Sequence, residues 1–257
     1  MTTTFTSYKQ ITSDLTSSLK RVQEQPDVAR ETAYYMSKIG SVKTVDEFMA
    51  DSRLYNYALK AHGLEDMSYA KAFIRKVLTE GNEKDDAFAK KLSDSRYSDL
   101  VNSLNFAKFG TAATAKDSAQ TGVTAKFSRQ TLEEEVGEDD SGVRLALYFE
   151  RMAPSITSPF GLLADEALAQ VTRTLLQVPD EFAAADIDAQ ADHIKEKIDI
   201  SSFKDPKKLS KLMERFTALW EAQKDPAASD TLKLFGGSSG ISADLLLSIN
   251  NLKLGGR

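Results

Sequence analysis

The residues best equipped for chemistry are few. The chain holds two histidines, His62 and His193, and no cysteine. Neither histidine has a second one at the three- or four-residue spacing of a helical metal site. The missing cysteines exclude thiolate catalysis, disulfides and thiolate-held zinc together. His62 stands directly before Gly63, where a helix is expected to stop, so its ring is expected to bond the free carbonyls of that helix end. His193, beside Asp192, Lys195 and Glu196, reads as a surface residue of a charged helix. Carboxylates such as Glu31 and Glu47 could form an acid pair only if folding brought them together. The acidic run from Glu133 to Asp140 lacks the alternating spacing of a calcium loop and reads as a solvated helix end. No phosphate loop, dinucleotide fingerprint or serine elbow occurs, and Gly236–Gly240 lacks the lysine that phosphate binding requires. The basic residues are scattered and the net charge is −5, which argues against nucleic acid. The expectation is a protein without enzymatic activity, cofactor or metal, acting through contacts with other proteins.

The elements that would position such contacts are helices. With 41% hydrophobic and 28% charged residues in 257, the chain has the balance of a folded domain. Apolar residues recur at spacings of three and four, the signature of amphipathic helices. Tyr8, Ile11, Leu15, Leu19 and Val22 predict one helix; Pro26 opens the next, and Gly40 supplies a left-handed end. Thr44 and Glu47 form a capping box. Leu54, Tyr57, Ala58 and Ala61 lead to Gly63, and Asp66 is placed to cap a helix carrying Phe73, Ile74, Val77 and Leu78. Asp94 is an N-cap for the stripe Tyr97, Leu100, Val101 and Leu104. Gly110 to Gly122 reads as an exposed loop or weak helix. Further helices are expected over Val123–Val136 and Val143–Met152, from Ser158-Pro159 to Leu175, over Ile187–Ile198, and from Pro206 through Trp220 to Pro226.

The fold class expected is all-α: a multi-helix globular bundle with amphipathic terminal helices. Residues 1–235 read as a single helical domain with a loop at 110–122, and 236–257 as a linker followed by an amphipathic segment. In that segment Leu245, Leu246, Ile249 and Leu252 lie at helical spacing and are the expected partner-binding residues. No run reaches the roughly 20 apolar residues of a membrane span. The start, Met-Thr-Thr-Thr-Phe-Thr-Ser-Tyr, lacks the basic and apolar stretches of a Sec signal. It reads as a frayed terminus or as a Ser/Thr-rich export signal of the type III kind. An echo runs through the chain: Phe48-Met49-Ala50-Asp51 with Leu54, and Leu162-Leu163-Ala164-Asp165 with Leu168. Duplication and shared helix grammar both account for it.

The run Arg30-Glu31-Thr32-Ala33-Tyr34-Tyr35, the stretch from Val45 through Asp51-Ser52-Arg53-Leu54 to Tyr57–Met67, and Gly142–Phe149 together resemble domain-of-unknown-function family 1217 of alphaproteobacteria. The resemblance spans about Tyr8 to Pro179. It implies a setting among flagellar genes and carries no catalytic or binding residues. The function it implies is a flagellar structural or assembly protein, in the basal body or a periplasmic part after non-Sec export, with other flagellar proteins as partners. The alternative is a cytoplasmic export chaperone or regulator that binds another flagellar protein.

Overall fold

A computed structural model describes residues 2–224. The partner-binding residues expected from sequence, Leu245, Leu246, Ile249 and Leu252, lie outside the described residues. Among those described, every regular element is helical, as the apolar spacing requires. The chain divides into two compact units, one formed by Asp14–Glu138 and one by the segments up to Ser13 and from Asp139.

The helices in chain order are α1 (Thr4–Ser13), α2 (Leu15–Gln23), α3 (Pro26–Ile39), α4 (Val45–Ala50), α5 (Ser52–Ala61), α6 (Lys71–Glu80), α7 (Phe88–Lys91), α8 (Ser95–Ser103), α9 (Phe106–Phe109) and α10 (Thr121–Asp139). After them come α11 (Ser141–Met152), α12 (Pro159–Leu163), α13 (Glu166–Leu176), α14 (Ile187–Lys197) and α15 (Pro206–Lys224). Their starts follow from cap chemistry, a side-chain oxygen accepting from an otherwise unpaired amide. Thr44 accepts from Glu47 N, and Glu47 reaches back to Lys43 N at 2.7 Å. Asp51 caps α5, Asp94 caps α8 and Asp165 caps α13.

Several expected elements differ. The helix expected over Tyr8–Val22 breaks at Asp14, which leaves the helical region and caps α2 through Ser17 N. Asp165 likewise divides the helix expected from Pro159 to Leu175. Gly40 is right-handed (φ −62°), whereas Gly63 and Gly81 are left-handed. Asp66 lies inside a 3₁₀ turn, and α6, which starts at Lys71 after Ala70, has no side-chain cap. Gly110–Ala115 is a 3₁₀ helix that buries Ala113 and Thr114, so it is not simply exposed. The acidic run forms the end of α10, as expected, but it is not solvated throughout: Glu133 is buried in an ion pair with Arg129 at 2.9 Å, and exposure begins at Glu138.

In the Asp14–Glu138 unit the centre is a stack of three rings. Tyr35 lies on Tyr57 at 4.5 Å between centroids, and Tyr57 on Phe127 at 3.9 Å, joining α3, α5 and α10. The Tyr35 hydroxyl donates to Ala119 O at 2.7 Å, and the Tyr57 hydroxyl pairs with Thr32 Oγ1 at 2.9 Å. Burial of rings this size, with both tyrosine hydroxyls satisfied, stabilises by roughly 1.5–3 kcal/mol apiece. In the other unit, α11 packs on α13 and α15, and α1 packs on α11 and α15. There Phe149 meets Phe203 edge to face at 5.4 Å.

The two units follow one plan. Thr44 and Ser158, 114 positions apart, cap α4 and α12. At the same offset Asp51 and Asp165 cap α5 and α13, and each also accepts a tyrosine hydroxyl: Tyr34 to Asp51 at 2.8 Å, Tyr148 to Asp165 at 2.5 Å. Gly63 and Gln177, again at that offset, both end their helices with positive φ, 67° and 54°. Phe48 matches Leu162, and Tyr35 matches Phe149; all four are fully buried. Helix grammar alone does not reproduce a tyrosine–aspartate bond and a left-handed residue at one fixed offset, so the echo in the sequence is an internal repeat.

Candidate functional site

The densest polar cluster lies where α5, α8 and α10 meet. His62 Nδ1 is 2.7 Å from Ala58 O, and a carbonyl only accepts, so Nδ1 carries the proton. In the neutral ring Nε2 then accepts from Ser103 Oγ at 2.9 Å. Lys126 Nζ donates to Ser103 Oγ at 3.1 Å and to both Asp99 carboxylate oxygens at 2.5 Å. A hydroxyl donating into an imidazole has the polarity of a nucleophile and its base. Here, however, His62 is 2% and Ser103 3% exposed, and the chain of bonds runs from one helix to the next. Its evident work is to hold α10 against α5 and α8. The expectation that His62 bonds a helix-end carbonyl is met at Ala58. Asp99 and Ser103 lie one turn apart on α8, but no local spacing links them to His62 at the end of α5 or to Lys126 on α10, so the cluster is not legible in the sequence.

His193 is half-buried, its ring 5.4 Å from that of Phe182. Glu31 and Glu47 are not assembled as an acid pair; each has its own partner. Arg53 binds Glu31 through two hydrogen bonds, at 2.7 and 3.0 Å, and holds its carboxyl below the usual range. Burial pushes the Tyr57 hydroxyl up to about 12. Among the described residues no group of three or more His, Asp or Glu side chains could hold a metal ion. No described helix is long and apolar enough to cross a membrane.

A second cluster holds α1. Thr4 N donates to Glu221 Oε2 at 2.7 Å, and Thr4 Oγ1 to Asp140 Oδ2 at 2.6 Å. Lys9 pairs with Glu214 at 2.7 Å, and Tyr8 is fully buried. Two carboxylates at the start of a helix complement its dipole. Burial raises the Asp140 carboxyl; bonds from the Thr4 hydroxyl, Gly142 N–H and Lys224 outweigh that and leave it lowered.

The open surface of this unit carries a groove of about 550 Å³ between Thr157, Pro159 and the segment 195–201, which brings two lysines, Glu196 and Asp199 together with Ile198 and Ile200. Phe160 and Ile187, on α12 and α14, are 48% and 55% exposed. In the other unit Tyr69 is 81% exposed. Exposed large apolar side chains of this kind suit protein contacts better than small ionic ligands.

No curated protein matches the chain. A crystal structure of a protein from Agrobacterium tumefaciens, a structural genomics target, is similar at 61% identity. The match covers 86% of this chain and 94% of that one, with a TM-score of 0.81. A family model described as "Protein of unknown function (DUF1217)" matches residues 61–209. With more than half its length matched, the chain belongs to the DUF1217 family.

Proposed function

We propose that this protein is a non-enzymatic structural or assembly protein of the bacterial flagellum, acting through protein–protein contacts. The observation that carries the non-enzymatic half is the engagement of His62, Ser103, Asp99 and Lys126 in bonds between helices. Catalysis needs such groups aimed at a substrate. The exposed Tyr69, Phe160 and Ile187 support a role in contacts. The flagellar half rests on the family resemblance, which implies a place among flagellar genes. Partners on this reading are other flagellar proteins, and the location is the basal body or a periplasmic part reached by non-Sec export. The alternative in the same setting is a cytoplasmic export chaperone or regulator.

The partner-binding residues on this reading are Leu245, Leu246, Ile249 and Leu252. The test is Leu245→Asp with Ile249→Asp in the full chain. The expected result is an unchanged melting temperature and a loss of swimming. A variant as stable and as motile as the wild type contradicts the assignment.

A further inference from the structure

α1 and α2 are separated by one residue. Asp14 stands at φ −142°, ψ 69°, outside the helical region, and its carboxylate accepts from Ser17 N at 3.0 Å. Yet the apolar spacing Tyr8, Ile11, Leu15, Leu19, Val22 runs across the break without a fault. The internal repeat supplies the comparison. At the offset of 114, Asp14 corresponds to Ser128, and there the same segment is α10, an unbroken helix from Thr121 to Asp139. One segment therefore occurs in two forms, broken in the first repeat and continuous in the second.

The part before this point also shares a destination. In the second repeat it lies on helices of the first: Phe127 stacks on Tyr57 of α5, and Lys126 binds Asp99 of α8. In the first repeat it is α1, which lies on helices of the second: Lys9 binds Glu214 and Thr4 binds Glu221, both of α15. Each repeat thus seats its leading helix on the other. The two attachments differ in one respect. The leading part of α10 belongs by chain continuity to the unit it fills. α1 is joined to the rest of its unit only through the whole of Asp14–Glu138.

We propose that the seat on α11 and α15 accepts the α1 of a second copy of this chain, with Asp14 as the hinge, so that copies link by exchanging this helix. With Asp14 helical, α1 and α2 form one helix like α10, and the vacated seat takes the same helix from a neighbour with the same bonds. Reciprocal exchange closes a dimer; one-way exchange builds an open array. The inference does not depend on the flagellar reading.

The test uses two full-length proteins that the cysteine-free sequence makes clean: Lys9→Cys in one and Glu214→Cys in the other. They are mixed at high concentration and treated with a short bismaleimide. A covalent dimer in the mixture, absent from either protein alone, is the expected result. Asp14→Ala removes the cap and favours the continuous helix, and should raise the mixed dimer roughly fivefold, the population change one N-cap corresponds to. The double variant carrying both cysteines in one chain marks the closed form. A mixture that yields no dimer, with Asp14→Ala protein monomeric by light scattering, overturns the proposal.

Discussion

Thr4 and Asp140 are hydrogen-bonded at 2.6 Å although 136 positions separate them. The bond fixes the start of α1 to the cap of α11, since the same carboxylate accepts from Gly142 N at 2.8 Å. One acid therefore organises two helix starts. Lys224, at the end of α15, binds it as well, at 3.3 Å.

The close approach behind this bond is at Gly142. A Cβ there would run into the Trp220 indole and lie 2.9 Å from Thr4 Cγ2. Gly142→Ala should cost about 1–3 kcal/mol, the range for overpacked sites. Trp220 is the single tryptophan, so its fluorescence reports this seat directly. The expected outcome is a melting temperature lowered by several degrees with a shifted emission maximum. Unchanged melting and emission would contradict the packing described.

The two histidines should behave oppositely. His62→Ala takes away the ring that bonds Ala58 O and accepts from the Ser103 hydroxyl, and opens a cavity, a loss of about 2–4 kcal/mol. His193→Ala removes one ring contact from a half-buried site and should change stability by less than about 1 kcal/mol. Denaturant titration of both variants checks this, and equal losses would count against it.

Much of this was legible in the sequence, and the rest fails for identifiable reasons. Caps such as Thr44, Asp94 and Ser158 act within three residues of themselves, so local reading finds them. Asp14 is a cap of the same kind, but the unbroken stripe from Tyr8 to Val22 masks it. The stripe is a real preference, and the packing of α1 on α11 and α15 overrides it. Glu133 looks solvated because charge usually is, and its partner Arg129, one turn earlier, becomes decisive only once tertiary packing buries both. The bonds of Ser103 to His62 and of Thr4 to Asp140 join distant helices, and no spacing rule reaches them.

Acid should loosen the α1 seat. The Asp140 carboxyl is lowered in the folded chain, so its contribution is fully present above the unfolded value of about 3.9 and is lost as pH falls through the folded value. Asp140→Asn keeps the shape and removes that titration. Thermal melts from pH 6 to pH 3 should show a shallower loss of stability in the variant than in the wild type. Parallel curves would mean that Asp140 carries no such linkage.

The flagellar assignment is tested most directly by location. A chromosomally tagged protein is followed through purification of hook–basal bodies. The structural reading predicts that it co-purifies with them and disappears from them when the flagellar structure is absent. Recovery from the cytosol alone, with none in the purified structures, would contradict it.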